Sequence, residues 1–239
     1  MLDDMPVLRA AVQAYRAAAT AAGVAWPDGG ERAGQLPPDV LCRVFDVDHI
    51  ADQPIWLASQ VPPHEPVLPA GAYLLRWTDA DELLDYLSFA VAIPFHWRHQ
   101  VPLFFVDHLV FTFVLTGDRE GEIWRYQIDA DDWNPVRAAP SLAALFTEWT
   151  KGFAANVYDR SPYDDWLHIG HDGRDPFDVL QRQALDPFAF PVHASSYPHG
   201  DLVRERQREC GVDVGRADDF ESQEALLEAV DAARASLRT

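Results

Sequence analysis

Histidines and carboxylates carry the reactive chemistry this chain offers. His96 and His99 form one i, i+3 pair, His168 and His171 another, and His108 follows Asp107 between them. Three nitrogen or oxygen ligands around an open position would let a metal ion activate water, as catalytic zinc does. A helical metalloprotease pair places its histidines at i and i+4 beside a glutamate, and neither pair meets that spacing. His96, His99, His108, His168 and His171 thus define an alternative, a metal-dependent hydrolase, set against ordinary turn and surface histidines. The run from Asp129 to Asn134 suggests a calcium loop. However, Trp133 and Asn134 stand where an EF-hand needs an oxygen ligand and a glycine, and Pro140 stands where it needs glutamate.

Other catalytic signatures are missing. The chain has no G-x-S-x-G elbow, no G-x-G-x-x-G and no G-x-x-x-x-G-K-[ST]. Its two cysteines, Cys42 and Cys210, lie far apart in sequence and read as reduced thiols. The sequence implies no cofactor.

Charge and aromatic content are more informative. Across 239 residues, 38 acidic side chains outweigh 19 basic ones, a net charge of −19 with histidine neutral. Such a surface repels phosphate backbones and anionic membranes, and favours a basic protein partner. The carboxylates interleave with aromatic rings in two clusters. One is Asp129, Asp131, Asp132 and Trp133; the other is Asp159, Tyr163, Asp164, Asp165 and Trp166. Aromatic anchors ringed by charge suit protein recognition, since charge speeds encounter and the rings supply affinity. A solvated loop whose tryptophan tucks back into the core is the competing explanation for each cluster.

The elements that position these residues are legible in part. Leu109, Phe111, Phe113 and Leu115 alternate with Val110, Thr112 and Val114, the period of a half-buried strand. Gly117 to Gly121 reverses the chain, and a second strand returns with Trp124, Tyr126 and Ile128 on one face, Arg125 and Gln127 on the other. After an extended piece at Pro135–Ala139, Ser141 is positioned to cap a helix whose stripe is Leu142, Leu145, Phe146, Trp149 and Phe153. Helices are also expected over Pro6–Ala22, Asp39–Phe45, Thr78–Val91, Asp175–Ala184, Gly200–Cys210 and Glu221–Leu237. Proline punctuation makes Ala51–Gly71 a long loop with an extended piece at Ile55–Ala58, Ala72–Trp77 reads as a strand, and Asn156–Arg174 reads as loop-rich. The hydrophobic content of 48% places the chain among folded proteins. No run approaches the roughly 18 apolar residues of a membrane helix, and the N-terminus lacks the basic start of a secretory signal, so a cytoplasmic protein is expected.

The stretch from Leu103 to Phe153 resembles the SUKH superfamily, which contains fungal cell-wall-assembly regulators and many bacterial toxin-immunity proteins. The resemblance rests on Phe111–Leu115, on Gly121 to Trp124, on Val136–Ala139, and on the Ser141 to Trp149 helix start. Leu36-Pro37-Pro38-Asp39 is similar to the family's early Leu-Pro signal. One departure is Asp46-Val47-Asp48-His49, which stands where the family has a glycine-rich turn.

The resemblance implies an α+β fold: a mostly antiparallel sheet backed by helices, with a domain over residues 1–169 (core about 36–153) and a helical C-terminal extension over 170–239. It carries no catalytic residues. It implies a non-enzymatic, immunity-type inhibitor of a toxin, such as a nuclease whose basic groove an acidic protein can occlude; a regulatory scaffold of the cell-wall-regulator type is the alternative within the family. Asp129, Asp131, Asp132, Trp133, Asp159, Tyr163, Asp164, Asp165 and Trp166 are the expected partner-binding residues.

Overall fold

Alternation along Leu109–Val114 builds the centre of a five-stranded sheet. The structure is a computed structural model and describes residues 5–27, 38–62, 65–75, 99–127, 135–160, 165–170, 173–195, 198–211 and 220–237. Strands β1 (Tyr73–Leu74), β2 (Gln100–Val106), β3 (Leu109–Val114), β4 (Ile123–Gln127) and β5 (Val136–Ala139) lie in sequence order, each antiparallel to its neighbour. Asp107 and His108 form the two-residue turn between β2 and β3. Gly117 and Gly121, at φ +87° and +88°, close the two ends of the next turn in the left-handed region. The fold is α+β, as expected.

Helices cover this sheet. α1 (Met5–Ala21), α2 (Pro38–Phe45) and α3 (Asp52–Gln60) precede it, and α4 (Leu142–Ala154) follows β5. The Ser141 hydroxyl accepts the Ala144 N–H at 3.1 Å, satisfying one of the orphan donors of the first turn of α4. Beyond a β6–β7 hairpin (Tyr158–Arg160 and Leu167–Ile169) come α5 (Pro176–Arg182), a 3-10 turn (Pro187–Ala189), α6 (Gly200–Glu209) and α7 (Phe220–Leu237), which packs on α2. Thr78–Val91, with its Leu83 stripe, lies outside the described residues.

Aromatic side chains join α4 to both α1 and the sheet. Trp149 meets Phe104 of β2 edge-on at 5.2 Å between centroids, and Tyr15 of α1 stands 5.6 Å from both Phe146 and Phe153. Each such side chain, buried fully, contributes about 1.5–3 kcal/mol of apolar transfer. The Trp149 indole N–H donates to the Ala189 carbonyl at 2.7 Å, and the Tyr15 hydroxyl donates to Val67 O at 2.8 Å, so neither ring is buried with an unmet polar atom.

Three expectations need correction. Ala51–Gly71 contains the helix α3, not an extended piece at Ile55–Ala58. Pro54 is only the third residue of that helix, where the missing N–H costs no intrahelical bond. Asn156–Arg174 contains the β6–β7 hairpin. The central sheet is buried on both faces, so Arg125 and Gln127 do not point to solvent. Residues 187–194 lie over them. The Arg125 guanidinium donates to the carbonyls of Val192 at 2.6 Å, Phe190 at 3.0 Å, Phe188 at 3.4 Å and Pro187 at 3.5 Å. Gln127 exchanges two bonds with the backbone of Ala194. On the opposite face, Gln100 Oε1 accepts hydrogen bonds from Thr112 and Tyr126.

Gly152 supports a testable statement about packing. It sits inside α4, where alanine ordinarily gains about 1 kcal/mol over glycine. A Cβ here would stand 2.7 Å from the ring and hydroxyl of Tyr158, whose O–H donates to Trp149 O at 2.8 Å. Overpacking of this kind costs about 1–3 kcal/mol, so the sign reverses. Gly152→Ala is expected to lower stability by up to about 2 kcal/mol in urea unfolding, and a raised midpoint would refute the close approach.

Candidate partner-binding face

The expected recognition residues fall in two places. Asp129, Asp131, Asp132 and Trp133, together with Tyr163 and Asp164, lie outside the described residues. Asp159, Asp165 and Trp166 come together on the β6–β7 hairpin. The register there is Tyr158 opposite Ile169, Asp159 opposite His168, and Arg160 opposite Leu167. Alternation sends Leu167 and Ile169 inward, where both are buried, and turns Trp166 and His168 to the other face. Asp159, directly across from His168, shares that outward face.

Local chemistry explains why the hairpin holds this shape. Leu167 O accepts the Ala70 N–H at 2.6 Å, and Pro69 forms a parallel bridge to Leu167, so the 65–75 segment supports β7 from its second side. Gly71, at φ +73°, lets that segment pass beneath the indole of Trp166. A Cβ at Gly71 would fall 2.5 Å from Trp166 Cε3 and 2.8 Å from Cζ3, so any other residue would displace the ring. The His168 imidazole stacks beside the indole at 6.1 Å and 25°. Trp166 is 43% exposed despite these contacts. It is held in place rather than tucked into the core.

The electrostatics are less one-sided than a row of aspartates suggests. Arg160 reaches Asp165 at 2.6 Å and the Gly23 carbonyl at 2.6 Å. The Asp165 side chain remains 74% exposed, and an ion pair so open to water contributes little stability. Other aspartates have structural work. Asp175 caps α5 through Phe177 N–H, while Asp186 caps the 3-10 turn through Phe188 N–H and takes Arg206 at 2.9 Å.

Among the described residues, His99, His108 and His168 do not gather. His99 precedes β2 and His108 follows it, so a seven-residue strand, about 23 Å at 3.3 Å per residue, lies between them. His168 is on the separate hairpin, and His96 and His171 lie outside the described residues. Among the described residues, no group of three or more His, Cys, Asp and Glu side chains could hold a metal ion.

A different polar cluster escaped sequence reasoning. His199 is buried and stacks on Phe177 at 4.2 Å; its Nδ1 accepts the Ser195 main-chain N–H at 3.0 Å, and its Nε2 lies 3.4 Å from Asp178. These are the residue types of a nucleophile, a base and an acid. Yet the imidazole lone pair is taken by the backbone, not by the serine hydroxyl, so the cluster latches Ser195 and His199 to α5. Its only sequence signal was the separate presence of the three residue types, which alone says nothing about convergence. His168 stands beside the indole, on the face that the Trp166-Leu167-His168 alternation assigns it.

Among the described residues, no helix is long and apolar enough to cross a membrane. No family model matches the chain, and no curated protein or solved structure matches it.

Proposed function

We propose that this chain is a non-enzymatic protein-binding module, an immunity-type inhibitor in the manner of the SUKH superfamily, acting in the cytoplasm on a basic toxin. The observation that carries the reading is Trp166, half exposed yet held on the outward face of the hairpin just before β7, beside the exposed Asp159 and Asp165, in a chain of net charge −19. A fixed aromatic anchor within a field of carboxylates fits partner recognition: charge raises the encounter rate, and the ring supplies buried area. A nuclease toxin is the favoured target, because a groove built for phosphates accepts carboxylates in their place.

The test is capture of candidate toxins at low and high salt. Binding is expected to weaken as salt screens the acidic face. Changing Asp131, Asp132, Asp164 and Asp165 together to asparagine is expected to weaken it by at least about tenfold. Capture of no basic protein, or capture indifferent to the four changes, would overturn the proposal.

A further inference from the structure

We infer that His199 is a pH-sensitive latch on the strap of residues 187–195, whatever partner the protein binds: a proton on its Nδ1 breaks the bond to Ser195 and frees the end of the strap from the sheet. The imidazole is 1% exposed and stands at the N-cap of α6. Its hydrogen bonds admit one neutral tautomer. Nδ1 accepts the Ser195 N–H at 3.0 Å and so carries no proton; the ring proton sits on Nε2, 3.4 Å from Asp178 Oδ1. In return, the His199 main-chain N–H donates to Ser195 O at 3.2 Å. Ser195 follows Ala194, whose backbone exchanges two bonds with the Gln127 side chain on β4. The latch therefore closes the end of the segment that covers Arg125 and Gln127.

Protonation turns the acceptor into a donor. An imidazolium carries N–H at both nitrogens, so at Nδ1 two donors would face each other inside the protein. They are relieved only if Ser195 withdraws and both hydrogens reach water. Histidine is the side chain whose charge ordinarily changes between about pH 5 and 8, so acidification across that span works the latch. The charge around the ring decides which side gives way. From α5, Asp178 faces Nε2 with a side chain 40% exposed, and its carboxylate holds an imidazolium more strongly than a neutral ring. Phe177 of α5 stacks on the ring at 4.2 Å and brings no charge. On α6, Asp201 and Arg204 pair with each other at 2.8 Å on the exposed surface. The strap offers the Ser195 main chain, and its other titratable side chain is His193. The ring thus stays on α5 and the break falls on the strap.

The test is amide hydrogen exchange of the intact chain, read by NMR from about pH 8 down to about pH 5, above the range in which carboxylates ordinarily titrate. Each rate is corrected for the chemical effect of pH on exchange. One proton taken up on opening gives up to about tenfold per pH unit, so protection of Ser195 and Ala194 is expected to fall by at least about tenfold over the span. Amides of α4 are expected to keep theirs. The ring nitrogens at about pH 8 are expected to show the proton on Nε2 alone. His199→Asn, which keeps an acceptor near the Nδ1 position and takes no proton, is expected to abolish the pH dependence; His199→Gln serves the same purpose if the shorter side chain does not fold. His193→Asn is expected to leave the dependence in place. Constant protection at Ser195 and Ala194, an equal loss throughout α4, an equal loss in the His199 variants, or its disappearance in His193→Asn would overturn the latch. So would a proton found on Nδ1 in the neutral ring.

Discussion

Replacing Arg125 by methionine is expected to lower the unfolding free energy by about 3–5 kcal/mol, as measured by urea denaturation. Methionine keeps much of the buried volume, so the loss comes from hydrogen bonding. Arg125 is 3% exposed, and its guanidinium serves the carbonyls of Pro187, Phe188, Phe190 and Val192. Pro187 O and Phe190 O also accept backbone bonds, from Phe190 and Val192. Phe188 O and Val192 O thus have most to lose, and each buried acceptor left unmet costs about 1–3 kcal/mol. Phe111 and Phe188 lose a cation over their faces in addition. Arg125→Lys keeps the charge but reaches fewer carbonyls from one nitrogen, so it should fall between wild type and methionine. Hydrogen exchange should show residues 187–194 as the segment released first. A methionine variant as stable as wild type would mean that the carbonyl cage contributes nothing.

Alkaline unfolding is expected to be steep and to begin just above pH 10. Burial pushes the phenols of Tyr15, Tyr126 and Tyr158 well above their ordinary value. Hydrogen bonds at Gln100 and Thr112 and the charge of Arg119 oppose the shift of Tyr126, while Tyr15 and Glu148 add to that of Tyr158. In the unfolded chain all three ionise near pH 10. Their stabilising contribution is therefore complete below pH 10 and is lost as pH rises toward their folded values. Arg125 acts in the opposite direction. Its burial, with a smaller contribution from Arg206 and against the attraction of Asp186, lowers its value to about 9, so shedding that proton favours the folded state above this pH. Three tyrosines outweigh one arginine. The excess rises to at most two protons as the unfolded phenols become fully ionised, which corresponds to up to about 2.7 kcal/mol lost per pH unit. Of the seven tyrosines, these three should ionise together with loss of the near-ultraviolet dichroism, whereas gradual titration with the fold intact would contradict their burial.

The sheet and its covering helix were legible because their signals are local. Alternation along Leu109–Val114, the glycines at 117 and 121, the Ser141 cap and the Leu142–Phe153 stripe each depend on residues a few positions apart. α3 was missed because five prolines between Pro54 and Pro69 suggested a loop, although the helix ends before four of them and accommodates the first in its opening turn. The β6–β7 hairpin was missed because its strands have three residues each, too few for a period to emerge from the surrounding aspartates.

Sequence alone determined the α+β class, the order of most elements and the negative charge, since propensity, capping and composition act without knowledge of distant neighbours. It also singled out Trp166, Asp159 and Asp165 as one cluster. Tertiary structure decided what the polar residues do. Arg125 became a buried brace because residues 187–192, more than sixty positions away, turn their carbonyls toward it. His199 became a latch because α5 and Ser195 close around its imidazole. Trp166 stayed at the surface because Gly71 supports its ring from below. A side chain's periodicity names its face, but its environment is set by whichever distant backbone covers that face.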